Sequence, residues 1–155
     1  MNRHWLLKSE PDTFGIDDLA ALPKRTTAWD GVRNYQARNM LRDAVKKGDS
    51  AFFYHSSCDV PGIAGIVSVV RSGYPDETAF DAKHPHYDAD SDPGEPRWYV
   101  VDVKLQRKFT PIITLDELRK HAAHELSEMI LLRRGNRLSV MPVSAAEWNF
   151  ILSLE

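Results

Sequence analysis

Three β-rich runs follow one another through the middle of the chain with no helical pattern between them. They are SAFFYHS (residues 50–56), GIAGIVSVVRSGY (62–74) and RWYVVDVKLQRKF (97–109), each dense in β-branched and aromatic residues. Strands joined without a crossover helix pair antiparallel, and a doubly wound nucleotide fold would need regular strand–helix alternation and a Gly-rich phosphate loop. Neither is present in the sequence. The expected fold is α+β: a small mixed, mostly antiparallel β-barrel with flanking helices, formed by residues 1–155 as one domain.

The remaining segments supply what flanks such a sheet. HWLLKS (4–9) reads as a first strand ended by Glu10-Pro11, because a residue before proline is pushed out of the α region. A short helix is expected over Ile16–Leu22, stopped by Pro23. A second carries one apolar stripe at Ala37, Met40, Leu41, Ala44 and Val45 and ends at Lys46-Lys47-Gly48. Helices are also expected over Thr114–His121 and Glu125–Leu132, with a short strand in LSVMPV (138–143). Ser144 and Glu147 make a capping box, Val143 and Trp148 a hydrophobic staple, and Trp148, Ile151 and Leu152 should face the core. In the third β run Trp98, Val100, Asp102, Lys104 and Gln106 share a face that turns polar along its length.

Charge and cysteine content narrow the partners. The net charge of −2 averages two unlike regions. Residues 76–95 hold seven acids against Lys83 alone, so the rest of the chain carries a surplus of four basic residues. A modest basic face is compatible with selective nucleic-acid binding but not with avid coating of DNA. The HPHYDADSDPGEP stretch (84–96) reads as a surface loop. One cysteine, Cys58, leaves no internal disulfide and no Cys-rich zinc site, and fits a reducing compartment. No apolar stretch approaches the roughly 18 residues that span a membrane. The apolar run near the N-terminus, Trp5–Leu7, is too short for a signal peptide, and the expected location is cytoplasmic.

Three stretches are candidates for binding. In WDGVRNYQARN (29–39), Trp29 and Asn34 precede the apolar stripe of the helix, and Gly31 permits close approach or a positive φ. They form a pocket wall, or else Trp29 plugs the core and Asn34 caps the helix. Tyr54, His55 and Ser56 close a strand where ligand crevices are common, or simply meet solvent. Arg133, Arg134 and Arg137 surround Gly135-Asn136 as phosphate ligands or as a solvated turn. Catalytic readings fare worse. Cys58 with His55 lacks an orienting acid. Asp88, Asp90 and Asp92 begin like an EF-hand loop, but Pro93 replaces the turn glycine and Tyr99 the bidentate Glu. His84-Pro85-His86 is a poor basis for a catalytic metal site. No catalytic residue, metal or cofactor is expected.

Taken in order, WLLKSEPDTF, TTAWDGVRNYQARNML, GDSAFFYHSS, GIAGIVSVV, RWYVVDV and LLRRGNRLSVMPVSAAEW resemble the EVE domain, a member of the PUA-like superfamily related in fold to YTH domains. The resemblance runs from Trp5 to Trp148. It implies a pocket for a flipped, modified base in DNA or RNA, such as methylated or hydroxymethylated cytosine. Carried over by motif, Trp29 would stack on the base, with Gly31 and Val32 in the same wall. Lys8, Ser9, Asn34, Tyr54, His55 and Ser56 would surround it, and Ser139 would close the rim with Arg134 and Arg137. Arg33, Arg133, Arg134 and Arg137 would meet the nucleic-acid backbone. The alternatives are a PUA-like module for structured RNA relying on the 133–137 turn, and a hydrolase or nuclease using Cys58 or the His84–Asp92 loop.

Overall fold

The computed structural model describes residues 3–155. Six strands form one mixed sheet: β1 (His4–Ser9), β2 (Thr26–Ala28), β3 (Ser50–His55), β4 (Gly62–Pro75), β5 (Tyr99–Thr114) and β6 (Val140–Val143). Their spatial order is β2-β5-β4-β3-β1-β6. Pairing is antiparallel at every junction except β1–β3, which is parallel. The α+β class and the mostly antiparallel pairing are as expected, but the sheet does not close. Among the described residues no ladder joins β2 to β6, so it is open rather than a hydrogen-bonded barrel.

Period-2 alternation explains why the centre of the sheet is dry on both sides. Trp5 and Leu7 of β1, with Ala51 and Phe53 of β3, belong to one core. Leu6 of β1, with Phe52 and Tyr54 of β3, belongs to the other. A strand buried on both faces reads as a continuous apolar run, which is why WLL and AFFY show no polar alternation. The first core is covered by helix α2 (Ile16–Ala21) through Ile16 and Leu19, by Trp29 and Val32, and by helix α3 (Tyr35–Asn39). The second is covered by helix α4 (Leu115–Arg119), Leu126, Met129 and helix α5 (Ala145–Ser153). The long excursion required to return β3 parallel to β1 therefore carries the 29–34 turn across the first face.

Capping chemistry follows the sequence closely. Ser144 Oγ accepts from the Glu147 N–H at 3.1 Å, and Glu147 accepts from the Ser144 N–H at 2.9 Å. Trp148 stacks on Phe52 at 3.9 Å, and Ile151 is buried with Leu152 packed beside it. The helix begun by α3 widens into a π turn over Met40–Ala44, where the Val45 N–H reaches the Met40 carbonyl five residues back. Ala37, Leu41 and Val45 all remain buried.

One expectation needs correction, and two short elements were not foreseen. The helix expected over Glu125–Leu132 does not form; the segment is a chain of turns ending in a 3₁₀ turn at Ile130–Leu132. Its buried anchors are Leu126, Met129 and Leu131, and the two-residue step from 129 to 131 puts those side chains on opposite sides of any helix. β2 gave no signal, being three residues of intermediate burial. A short helical turn, α1 (Pro11–Phe14), also precedes α2.

One buried carboxylate ties the sheet to the turn that follows the π segment. Asp49, 3% exposed, accepts from the Trp5 indole N–H and the Lys46 N–H, both at 2.9 Å, and from the Arg3 N–H at 2.9 Å. Replacing it strands donors in the core, and hydrogen bonds to charged groups carry about 1.5–3 kcal/mol each. Asp49→Ala is expected to lower unfolding free energy by about 3 kcal/mol, with an unchanged m-value in urea denaturation. A loss under 1 kcal/mol would show that these donors find water instead.

Candidate nucleobase pocket

A cavity of about 420 Å³ opens where the 29–33 turn crosses the first face of the sheet. Trp29 forms part of its apolar side. The residue is 6% exposed, its N–H donates to the Val101 carbonyl at 2.8 Å, and its ring meets Phe53 edge-on at 5.3 Å. Trp29 is thus both core and wall, and its orientation is fixed from behind. Phe14 lines the cavity beside it and also packs against Phe53. The Ser9 hydroxyl donates to the Phe14 carbonyl, leaving its oxygen able to accept. Ser139 shares the rim, and its carbonyl accepts from the Lys8 N–H at 2.9 Å.

The polar side comes from two distant segments. Gly31 adopts φ +76°, and a Cβ there would lie 2.5 Å from the His86 imidazole, so only glycine lets that ring sit on the turn. Asp76, 1% exposed, accepts from the Gly31 N–H at 3.1 Å, from Arg33 at 3.0 Å and from the Thr78 N–H at 3.0 Å. Burial alone would raise its pKa. The hydrogen bonds from Thr78, Gly31 and Arg33, with the guanidinium charge, outweigh that and hold it below the usual carboxylate range. The same guanidinium donates to the His86 carbonyl at 2.6 Å, drawing the acidic segment over the turn.

Asp30, His84 and His86 consequently face one another, with ligand atoms within 4.8 Å. Asp30 Oδ1 is 3.7 Å from His86 Nδ1, a nitrogen shielded from solvent and without a hydrogen-bond partner among the described residues. Desolvation by the walls raises the Asp30 pKa, opposed by His86, reinforced by Asp76 and opposed by His84. This trio could hold a divalent cation only after contraction, since tetrahedral ligands at about 2.1 Å from zinc lie roughly 3.4 Å apart.

Of the residues singled out in the sequence, Lys8, Ser9, Trp29, Gly31, Val32, Arg33 and Ser139 line this cavity. The others lie elsewhere. Asn34 is exposed and its Oδ1 accepts from the Ala37 N–H at 3.0 Å, capping α3. Arg33 is engaged with Asp76 and His86 rather than free for a backbone phosphate. Tyr54 faces the opposite side of the sheet, because alternation sends neighbours at a strand end opposite ways. His55 turns towards α2, where its Nε2 accepts from the Ile16 N–H at 3.1 Å. The Ser56 N–H donates to the Ser9 carbonyl, tying the ends of β1 and β3. Arg133 and Arg134 line a second cavity with Tyr54, and Arg137 is exposed outside both. Sequence reasoning missed Thr13, Phe14, Thr27, Ala28 and Asp30, and assigned His84 and His86 to a surface loop. Asp30 had a signal in its place between Trp29 and Gly31; the histidines were legible only as metal ligands, and their place in this wall follows from the contacts of Arg33.

An open mixed sheet whose crossover carries a Trp-Asp-Gly turn over an aromatic-walled cavity defines a small α+β domain of a recognisable class. The match is specific: residues 3–154 fit the EVE domain model, and the chain belongs to that family. It is similar to thymocyte nuclear protein 1 of Homo sapiens, 48% identical over 170 residues that cover 100% of this chain and 75% of that protein. The Gallus gallus protein of the same name is 50% identical over 167 residues, covering 98% and 68%. Among solved structures, human THYN1 protein in complex with 5-methylcytosine-containing DNA superimposes with a TM-score of 0.93 at 48% identity, covering 99% of this chain and 97% of that one. A Pseudomonas putida protein gives 0.91 at 47% identity, with coverages of 97% and 98%.

The His55 contact makes a pH prediction. Burial lowers the imidazole pKa, with Asp17 raising it and Lys108 lowering it, and Nε2 can accept from Ile16 only when unprotonated. A depressed folded pKa contributes stability that is complete above the unfolded value of about 6.5 and is lost as pH falls through the folded one. Urea unfolding from pH 7.5 to 5 should therefore show a decline that is shallower in His55→Gln, whose amide oxygen accepts without titrating. Identical slopes would mean that the contact is not held in solution.

Proposed function

We propose that the chain is a non-catalytic reader of modified cytosine in DNA, and that the base, turned out of its strand, occupies the cavity between Trp29 and the Asp30–His86 side. One observation carries this reading: a fixed, nearly buried tryptophan shares a cavity of base-binding scale with a partly exposed carboxylate, Asp30. Stacking on an aromatic contributes about 1–3 kcal/mol per base, comparable to the cost of unstacking one. A carboxylate accepts from the N4 amino group of cytosine, whereas thymine offers an acceptor, O4, at that position. The complex of human THYN1 protein with 5-methylcytosine-containing DNA supports the same ligand class.

The absence of chemistry in this reading also has support. His55 Nε2, the only partner sequence offered to Cys58, is occupied by the Ile16 N–H. The His84–Asp92 segment contributes walls rather than a formed metal site. No helix among the described residues is long and apolar enough to cross a membrane.

Short strands carrying cytosine, 5-methylcytosine or thymine at one central position test the reading by fluorescence titration. Burial of one methyl contributes about 0.8 kcal/mol, so 5-methylcytosine should bind roughly fourfold tighter than cytosine. Thymine carries the same methyl but should bind roughly tenfold weaker than 5-methylcytosine for want of the N4 donor. Asp30→Ala should erase the thymine discrimination while leaving the fold intact, because more than a third of that side chain is exposed (37%). Trp29→Phe should weaken all three strands. Equal affinity for the three strands in the native protein would sink the proposal.

A further inference from the structure

On the opposite face of the β1–β3 pair lies a second cavity, of about 480 Å³, whose polar lining is rich in donors and cations: Lys8, Tyr54, Arg119, Arg133, Arg134 and Asn136. No carboxylate lines it among the described residues. Tyr54 is 3% exposed, yet its hydroxyl makes no hydrogen bond to any described residue and lies close enough to Arg119 to feel its charge. Burial pushes the phenol up to about 12, so it stays protonated and able to donate. Lys8 pairs with Tyr54 in the parallel register, and burial lowers its pKa with no nearby acid to oppose the shift. Arg119 and Arg134 enter none of the ion pairs among the described residues, while Arg133 reaches Glu128 only at 4.0 Å.

Such a concentration of donors and cations with no carboxylate facing them is complementary to one chemical class. A carboxylate presents two acceptor oxygens in a plane. A phosphate presents acceptor oxygens in several directions and matches guanidinium forks, an ammonium and a phenol converging from different elements. Here the donors come from β1, β3, α4 and the 133–136 turn. That turn owes its shape to Gly135, at φ +75°, where a Cβ would meet nothing within 4 Å, and to the Asn136 carbonyl oxygen accepting from the Leu138 N–H at 3.1 Å. The glycine serves conformation, not space.

We propose that this second cavity binds a phosphate group through Tyr54, Arg119, Arg134 and Lys8. Two sources share the chemistry: a phosphodiester of the strand whose base fills the first cavity, or a free phosphate. Lys8 borders both cavities, which places the two sites at one end of the same strand pair. The strand source rests on the base-reading proposal; the phosphate chemistry does not.

The test uses the full chain with Arg119→Gln, Arg134→Gln and Tyr54→Phe, the last retaining the buried ring. With the 5-methylcytosine strand, each arginine variant should lower the slope of log affinity against log salt by about 0.7 and leave the preference over cytosine unchanged. Tyr54→Phe should weaken the strand roughly fivefold. Titration with inorganic phosphate, followed by amide chemical shifts, should perturb the lining residues in the native protein and much less in the three variants. Replacing the linkages beside the marked base by neutral methylphosphonates separates the sources. Loss of the variants' effect in that strand assigns a phosphodiester. Persistence of the inorganic-phosphate response, with no methylphosphonate effect, assigns a free phosphate. Unchanged salt slopes together with no variant-sensitive phosphate response would overturn the site. Failure of base reading alone would instead show as loss of the cytosine, 5-methylcytosine and thymine discrimination, with the phosphate response intact.

Discussion

Asp76 and Arg33 hold the first cavity together. The carboxylate is almost wholly buried and collects the Gly31 N–H, the Arg33 guanidinium and the Thr78 N–H, while the guanidinium continues to the His86 carbonyl. Removing one partner of a buried, hydrogen-bonded pair leaves the other charge uncompensated, so the pair acts as a unit. It joins a turn at residues 29–33 to a segment more than forty residues later, and the polar side of the cavity is the seam between them. Asp30, Gly31 and His86 have their places because that seam is closed.

The sheet distributes function by parity. Along β1 and β3 consecutive side chains alternate between two cores, so Ser9 and His55 fall on the side of the first cavity while Tyr54 falls on the side of the arginines. Both cavities occur where the strands run out of apolar residues to bury. The helices that cover each face stop short there, and polar tips take over from Leu7 and Phe53 on one side and from Leu6 and Phe52 on the other.

Much of this was legible because local physics and tertiary structure agree. The WLL and AFFY runs were legible as strands, though not as a pair buried on both faces, and Ser144–Glu147 announced the last helix through two reciprocal hydrogen bonds. The stripe from Ala37 to Val45 survived even a π turn, because its buried members lie four residues apart. The losses have physical causes. Spacing that mimics a helix over 125–132 was used by turns, since burial there is set by where the segment meets α5 and α4 rather than by its own period. Asn34 was legible as a cap and as a base reader alike, and the Ala37 N–H claims its oxygen. Tyr54 and His55 are adjacent in sequence but separated by a sheet. His84 and His86 sit in a stretch whose composition is that of a solvated loop, and only a distant arginine reveals that it is fastened down.

That fastening extends along the whole acidic segment. Beyond Arg33 and His86, the Asp88 carboxylate accepts from the Trp98 indole, Arg97 lies 3.5 Å from the same carboxylate, and Tyr35 stacks on Trp98 at 5.0 Å. The arch from Asp76 to Trp98 is thus anchored at both feet and at its crown. A flexible wall would have to surrender its conformational freedom each time a ligand entered, and that entropy would be subtracted from every affinity. Here the surrender is made once, during folding. The wall that a ligand would meet is fastened at three places by contacts of the fold itself, so less of its conformational freedom is left to be lost on binding.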